Sequence, residues 1–162
     1  MIKIILAVDE NGAIGKDNDM LYYIKDDLAN FKELTTGNTI IMGRNTWESL
    51  PIRPLPNREN IVLTRSDITL DGCKILRSMD ELKDFIKNQE KDVYIIGGAS
   101  VYNQVIDEDI VDEVHITFIK DFVSDADTFV DVDKIREKFR NEEYVTTFRQ
   151  DGIDADYVIL RK

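Results

Sequence analysis

Three short stretches of this chain are apolar without a break: IIM within 38–43, IVL within 60–64 and YII within 92–98, and IKIILAV at 2–8 is a further apolar run interrupted by Lys3. A strand buried on one face alternates apolar with polar residues, because successive side chains point to opposite sides. A continuous run instead predicts burial on both faces, as in a parallel sheet with helices on either side. Further strands are expected at 73–78 and 111–119. Helical patterns separate these runs, at about 26–36, from Arg44, at 78–89 and at 99–106. Ser78 and Glu81 carry the spacing of a capping box. YVTTFRQ (144–150) and ADYVILRK (155–162) flank DGID and predict a closing hairpin. The fold class is therefore α/β: three layers, a central mostly parallel, mixed sheet of about eight strands with a C-terminal antiparallel hairpin, and helices on both faces. There is no internal repeat and no low-complexity linker. The proline-bearing stretch 51–60 reads as a loop, and residues 1–162 as a single domain.

In such sheets ligands bind at the carboxyl ends of the strands. One strand runs into Gly43-Arg44-Asn45-Thr46, where a helix begins. A cation there opposes the helix dipole unless an anion sits between it and the amides. The strand at 60–64 ends in Thr64-Arg65-Ser66, a second cationic, hydroxyl-bearing end. The pair suits a phosphate monoester such as an adenosine 2′-phosphate, and so NADP over NAD. Taken alone, each arginine reads rather as a surface group paired with a nearby acid. Ile96-Gly97-Gly98-Ala99-Ser100 precedes another helix, whose free amides could hold a pyrophosphate. A tight strand-to-helix turn would use the same glycines, and neither GxGxxG nor a P-loop is present.

A carboxylate stands out in LYYIKDDLANFKEL (21–34). Helical spacing puts Asp26 on a face with Asn30 and Glu33, which reads as solvated. Asp27 shares its face with Phe31 and Leu34, beside Leu28. An unpaired carboxylate on a buried stripe is costly, and its pKa is pushed up. Asp27 is either a helix-start residue near water or the lining of a pocket. His115, the one histidine, excludes a histidine-based metal cluster and reads as a hydrogen-bonded or solvated strand residue. Thr117 shares its face and is a good strand former. Trp47 and Tyr102 read as packing residues, and the acidic runs at 107–113 and 124–133 as solvated faces and loops.

The net charge of −11 argues against nucleic acid or an anionic membrane as a partner. One cysteine, Cys73, permits no internal disulfide and points to a reducing compartment. The N-terminal apolar run is too short to span a membrane and lacks a signal-peptide pattern. Cytoplasmic residence and a monomer are expected.

Taken together, LAVDENGAIGKDNDM (6–20), DDLANFK (26–32), IIMGRNTWESL (40–50), RPLPNRENIVLTR (53–65), VYIIGGASVY (93–102), HITFI (115–119) and ADTF (126–129) resemble the dihydrofolate reductase family. The resemblance covers nearly the whole chain. It implies reduction of dihydrofolate to tetrahydrofolate with NADPH, and antifolate inhibitors as further ligands. It implies that Asp27 holds the 2-amino group and N3 of the pterin, with Thr117 in the same network and Tyr22 offering a hydroxyl to a bound water. Ile5, Leu6, Ala7, Met20, Leu28, Phe31, Leu50, Leu55 and Ile96 would form the substrate pocket, with Arg58 taking the glutamate carboxylate. Arg44, Asn45, Thr46, Thr64 and Arg65 would meet the cofactor's phosphate region, and Gly97, Gly98, Ala99 and Ser100 its pyrophosphate, across a cis Gly-Gly peptide. Ala7, Ile14, Gly15, Gly43, Leu63, Ile96, Val101, Tyr102 and Thr128 would complete the cofactor site. Residues 10–24 would form a mobile lid.

The chain departs from the family pattern at Leu21-Tyr22, where Pro-Trp is usual, and at Lys25, Pro51-Ile52 and Val130-Asp131. A pyrimidine-pathway reductase on the same fold would lack use for both Asp27 and Arg58. A non-catalytic nucleotide-binding module would need neither Asp27 nor the Gly-Gly.

Overall fold

A computed structural model describes all residues 1–162. Its elements in chain order are β1 (Ile2–Val8), β2 (Ala13–Lys16), β3 (Asp19–Met20), α1 (Lys25–Thr35), β4 (Thr39–Gly43), α2 (Arg44–Ser49), β5 (Glu59–Leu63) and β6 (Lys74–Leu76). Then follow α3 (Met79–Lys87), β7 (Val93–Gly97), α4 (Ala99–Asp107), β8 (Glu113–Ile119), β9 (Thr128–Phe129), α5 (Val132–Lys138), β10 (Asn141–Gln150) and β11 (Ile153–Arg161). Eight strands form one sheet in the order β10-β11-β8-β1-β7-β4-β5-β6. Pairing is parallel from β8 through β6, while β11 and β10 add antiparallel at one edge. The α/β three-layer fold expected from the apolar runs is the fold observed. No helix is long and apolar enough to cross a membrane.

The continuous apolar runs are explained by two cores on opposite faces. Ile41 of β4, Ile61 of β5 and Val93 and Ile95 of β7 join the larger core. Their chain neighbours Ile40, Met42, Val62 and Tyr94 join a smaller one with Trp47. The apolar residues of these central strands therefore meet apolar material, whichever way they point. Strand β1 differs: Ile2, Ile4, Leu6 and Val8 are buried, while Lys3, Ile5 and Ala7 are half-buried. That half-open face lies beneath a cleft.

Helix α3 starts as its sequence predicts, with the Ser78 side chain accepting from Glu81 N–H at 3.1 Å. The Glu81 carboxylate reaches one residue further back than a capping box requires, to the Arg77 N–H.

Three expectations need correction. Residues 10–24 are not wholly loop, because β2 and β3 form a small antiparallel sheet with β9. The run 124–133 is not one solvated loop: Val130 is buried and the Asp131 carboxylate caps α5 by accepting from Lys134 N–H. Ile135 and Phe139, one helical turn apart, join the main core and were the missed signal. The run 107–113 is likewise not all solvated. Glu113 is buried, and Asp112 accepts from Ile2 N–H at 2.7 Å.

Candidate active site

A cleft of about 1770 Å³ opens along the carboxyl ends of the parallel strands. Helix α1 roofs one arm. Leu28 and Phe31 are only half-buried, because the apolar stripe of α1 faces the cleft rather than the core. Asp27 projects from the first turn of that stripe into the same space. Asp26, next to it, is exposed.

Both local explanations of Asp27 therefore apply, and the tertiary structure adds a third. It is a first-turn residue, yet α1 has no side-chain cap hydrogen bond. Its Oδ1 instead accepts from Thr117 Oγ1 of β8 at 2.7 Å. Burial raises the Asp27 pKa above the ordinary carboxylate value, and the Thr117 hydrogen bond offsets part of the rise. Around it stand Ile5, Leu6 and Ala7 of β1, Leu50, Leu55 and Ile96. A single charged group thus sits in an apolar arm, suited to the polar edge of a flat heterocycle.

Tyr22 lines this arm, and its buried hydroxyl has no hydrogen-bond partner. Burial, then the neighbouring Asp121 carboxylate, push its pKa up to about 12. Met20, Ile14 and Gly15 of the small sheet close over the middle of the cleft. That sheet is pinned from below: Asp127 N–H donates to Gly15 O at 3.1 Å, and the Asp127 carboxylate accepts from Asp17 N–H at 2.9 Å. Lys16 pairs with Asp125 beside them.

The second arm runs past Gly97-Gly98, which are joined by a cis peptide, and past the start of α4. Gly97 has φ +137°, and a Cβ there would sit 3.1 Å from Thr46 Oγ1. A Cβ on Gly43 would meet Val101 Cγ2 at 3.2 Å. No side chain caps α4, so its first amides are available. Ala99, Ser100, Tyr102, Asn45, Thr46, Leu63, Thr64 and Thr128 also line this arm. Tyr102 is a packing residue as well, for its hydroxyl donates to Ile5 O at 2.8 Å.

Arg44 and Arg65 both reach the far end of this arm. Arg44 Nε pairs with Glu48 at 2.9 Å, so the pairing with an acid considered from sequence is present for that residue. A third cation there, Arg77, escaped sequence reasoning. Its guanidinium donates to Ser66 O and Ile68 O, which hold it beside Ser78 at the cleft. Its signal is the strand end 73–78, which in sequence looks like no more than the approach to a capping box. Arg58 is not part of the lining. Its Nε donates to Pro56 O at 2.9 Å and its Nη1 to Thr35 Oγ1 at 3.1 Å, and burial lowers its pKa. Asn30, His115 and Tyr157 line the Asp27 arm and were also missed as site residues. Cys73 lies away from the cleft, half-buried beside Leu70.

Comparison with known proteins gives one result throughout. The family model described as dihydrofolate reductase matches residues 1–162. The dihydrofolate reductase of Bacillus subtilis (strain 168) is 36% identical over 163 residues, covering 100% of this chain and 95% of that protein. That of Neisseria gonorrhoeae is 38% identical over 149 residues, 90% of each. A solved structure, dihydrofolate reductase from Enterococcus faecalis complexed with NADP(H) and RAB-propyl, superposes with TM-score 0.83 at 31% identity over 99% of this chain and 95% of that one.

Proposed function

This chain belongs to the dihydrofolate reductase family, and from that membership and its cleft we infer that it reduces 7,8-dihydrofolate to 5,6,7,8-tetrahydrofolate with NADPH. The product feeds one-carbon metabolism and the synthesis of thymidylate and purines. The observation that carries the reading is the part-buried Asp27–Thr117 pair in a largely apolar arm of the cleft. When bound, NADPH supplies a hydride from C4 of its nicotinamide to pterin C6.

Asp27 holds the 2-amino group and N3 of the pterin, and Thr117 fixes the carboxylate's orientation. The Asp27 charge favours the protonated pterin electrostatically, while N5 takes its proton from water, since the carboxylate grips the opposite edge of the ring. Ile5, Ala7, Leu28, Phe31, Leu50 and Ile96 align the ring and its aminobenzoyl extension, which lowers the entropy cost of the reaction. Ile14, Met20 and Tyr22 keep bulk water out. Arg58, held by Pro56 O and Thr35 Oγ1 outside the cleft lining, takes the substrate's glutamate carboxylate.

The second arm fits the cofactor. The uncapped first amides of α4, behind the Gly97-Gly98 turn, suit a pyrophosphate. Arg44, Arg65 and Arg77 supply the cations for a 2′-phosphate. We also propose a single-domain, monomeric, cytoplasmic enzyme. The lone cysteine and the acidic surface support that reading. Flat heterocycles presenting a 2-amino edge to Asp27 would compete as antifolates.

The test is loss of reduced-nicotinamide absorbance with dihydrofolate as substrate, for the parent and for Asp27→Asn. Turnover by the parent, lost at neutral pH in the variant, is expected. A parent inert towards dihydrofolate would overturn the assignment.

A further inference from the structure

Behind Asp27 lies a buried polar chain that the reaction as described does not use. Strand β8 places Glu113, His115 and Thr117 on one face, two residues apart. Thr117 ends on Asp27. His115 Nδ1 lies 2.6 Å from the Tyr157 hydroxyl, and its Nε2 lies 3.1 Å from Glu113 Oε1. Glu113 is anchored in turn by Arg161 Nε at 2.8 Å and by Lys3 Nζ at 3.7 Å. His115 and Glu113 are 4% and 7% exposed, so the chain is interior. Tyr157 lies on β11 in register with Thr117. Asn30 faces the Tyr157 hydroxyl from α1, three residues after Asp27. His115, Tyr157 and Asn30 all open on the arm that holds Asp27.

The direction of the chain follows from what each group can do. A carboxylate only accepts, so His115 Nε2–H donates to Glu113 and leaves Nδ1 as an acceptor. The Tyr157 hydroxyl must then donate to Nδ1, and its lone pairs are left to accept from the Asn30 amide. We propose that Glu113, His115 and Tyr157 form a positioning relay for Asp27, bracing both of its supports, the Thr117 strand position and helix α1. This inference rests on the dihydrofolate reading only in what Asp27 is for.

The relay requires a neutral His115, since an imidazolium could not accept from Tyr157. The groups around the ring are Glu113, Lys3 of β1, Arg161 and Tyr157 of β11, and Tyr94 of β7, whose ring meets it edge-on. Burial lowers its pKa more than Glu113 raises it. Neutrality and hydrogen-bond direction therefore agree. Loosening the relay would slacken the Thr117 hydrogen bond that favours the charged carboxylate, and the Asp27 carboxyl would move further above its ordinary range.

The experiment uses Tyr157→Phe, which keeps the ring but removes the hydroxyl, together with His115→Leu and His115→Gln. Asp27 is titrated by the carbon resonance of its labelled carboxyl, assigned with Asp27→Asn, so the relay is read without turnover. In Tyr157→Phe and His115→Leu the midpoint should rise by about half a unit or more, the scale of one weakened hydrogen bond to the carboxylate. The Michaelis constant for dihydrofolate should rise about threefold to tenfold, and that for NADPH should change less than about twofold. Gln can accept from Tyr157 and donate to Glu113, so His115→Gln should recover most of what His115→Leu loses. A midpoint unchanged or lowered in folded Tyr157→Phe would overturn the relay, as would His115→Gln and His115→Leu behaving alike. A parent that does not reduce dihydrofolate would instead reject the functional reading, whatever the titration gives.

Discussion

Thr117 Oγ1 and Asp27 Oδ1 meet at 2.7 Å across 90 residues of chain, joining β8 to the first turn of α1. The contact orients the one carboxylate of the apolar arm, but it does not remove the cost of burying it. The folded-state pKa of Asp27 is raised above its unfolded value of 3.8 by that burial.

The sign of the consequence is fixed. A raised carboxyl binds its proton more tightly folded than unfolded, so folding stability falls as pH rises through the folded pKa. Asp27→Asn should therefore raise the melting temperature at pH about 7. Below the unfolded pKa, where the parent's Asp27 is protonated in both states, the gain should vanish. The same variant should lose at least about 100-fold in turnover with dihydrofolate at neutral pH. Thermal unfolding across pH, beside steady-state rates, checks both. Equal melting temperatures at neutral pH would mean that burial costs Asp27 nothing.

Arg44 is shared between Glu48 and the far end of the cofactor arm. Arg44→Ala should raise the Michaelis constant for NADPH by about tenfold or more, the worth of a charged hydrogen bond, and leave that for NADH nearly unchanged. Glu48→Gln should act in the opposite direction on NADPH, since it frees the guanidinium and removes a repelling charge. Equal effects of Arg44→Ala on the two cofactors would take Arg44 out of phosphate recognition.

Gly97 combines φ +137° with a Cβ position 3.1 Å from Thr46 Oγ1. Gly97→Ala should both strain the backbone and crowd Thr46, destabilising the fold by about 1–3 kcal/mol. NADPH should no longer protect the variant in a thermal shift, whereas it should protect the parent. Full protection of a folded Gly97→Ala would show that the turn has room to spare.

Tyr22 carries a buried hydroxyl without a partner, and its pKa is pushed up to about 12. It stays protonated throughout the working range and adds no limb to the pH profile. Tyr22→Phe removes a hydroxyl that has the Asp121 carboxylate as neighbour but no well-formed hydrogen bond to it, so its melting temperature should stay close to the parent's, although a lost hydrogen bond usually costs about 1 kcal/mol. A clear drop on thermal unfolding would mean that the hydroxyl has a partner in solution.

The sheet was legible because burial on both faces leaves a mark within each strand. Ile40 and Ile41 go to different cores, yet both must be apolar. Asp27 was legible for a related reason, since helical spacing alone puts it on the stripe of Phe31. Short elements were less so. Helix α5 announces itself only through Ile135 and Phe139, amid acidic residues that mask the pattern.

What the chain determined by itself is therefore the face each residue presents within its own element, because periods of two and 3.6 are local properties of the backbone. What the tertiary structure decided is which faces meet. Thr117 reads as a plain strand former and His115 as an isolated histidine until β8, β11 and α1 converge. Arg77 reads as the approach to a helix until β5 and β6 place it beside Arg65. Such meetings are fixed by how helices and strands pack, which no single stretch of sequence encodes.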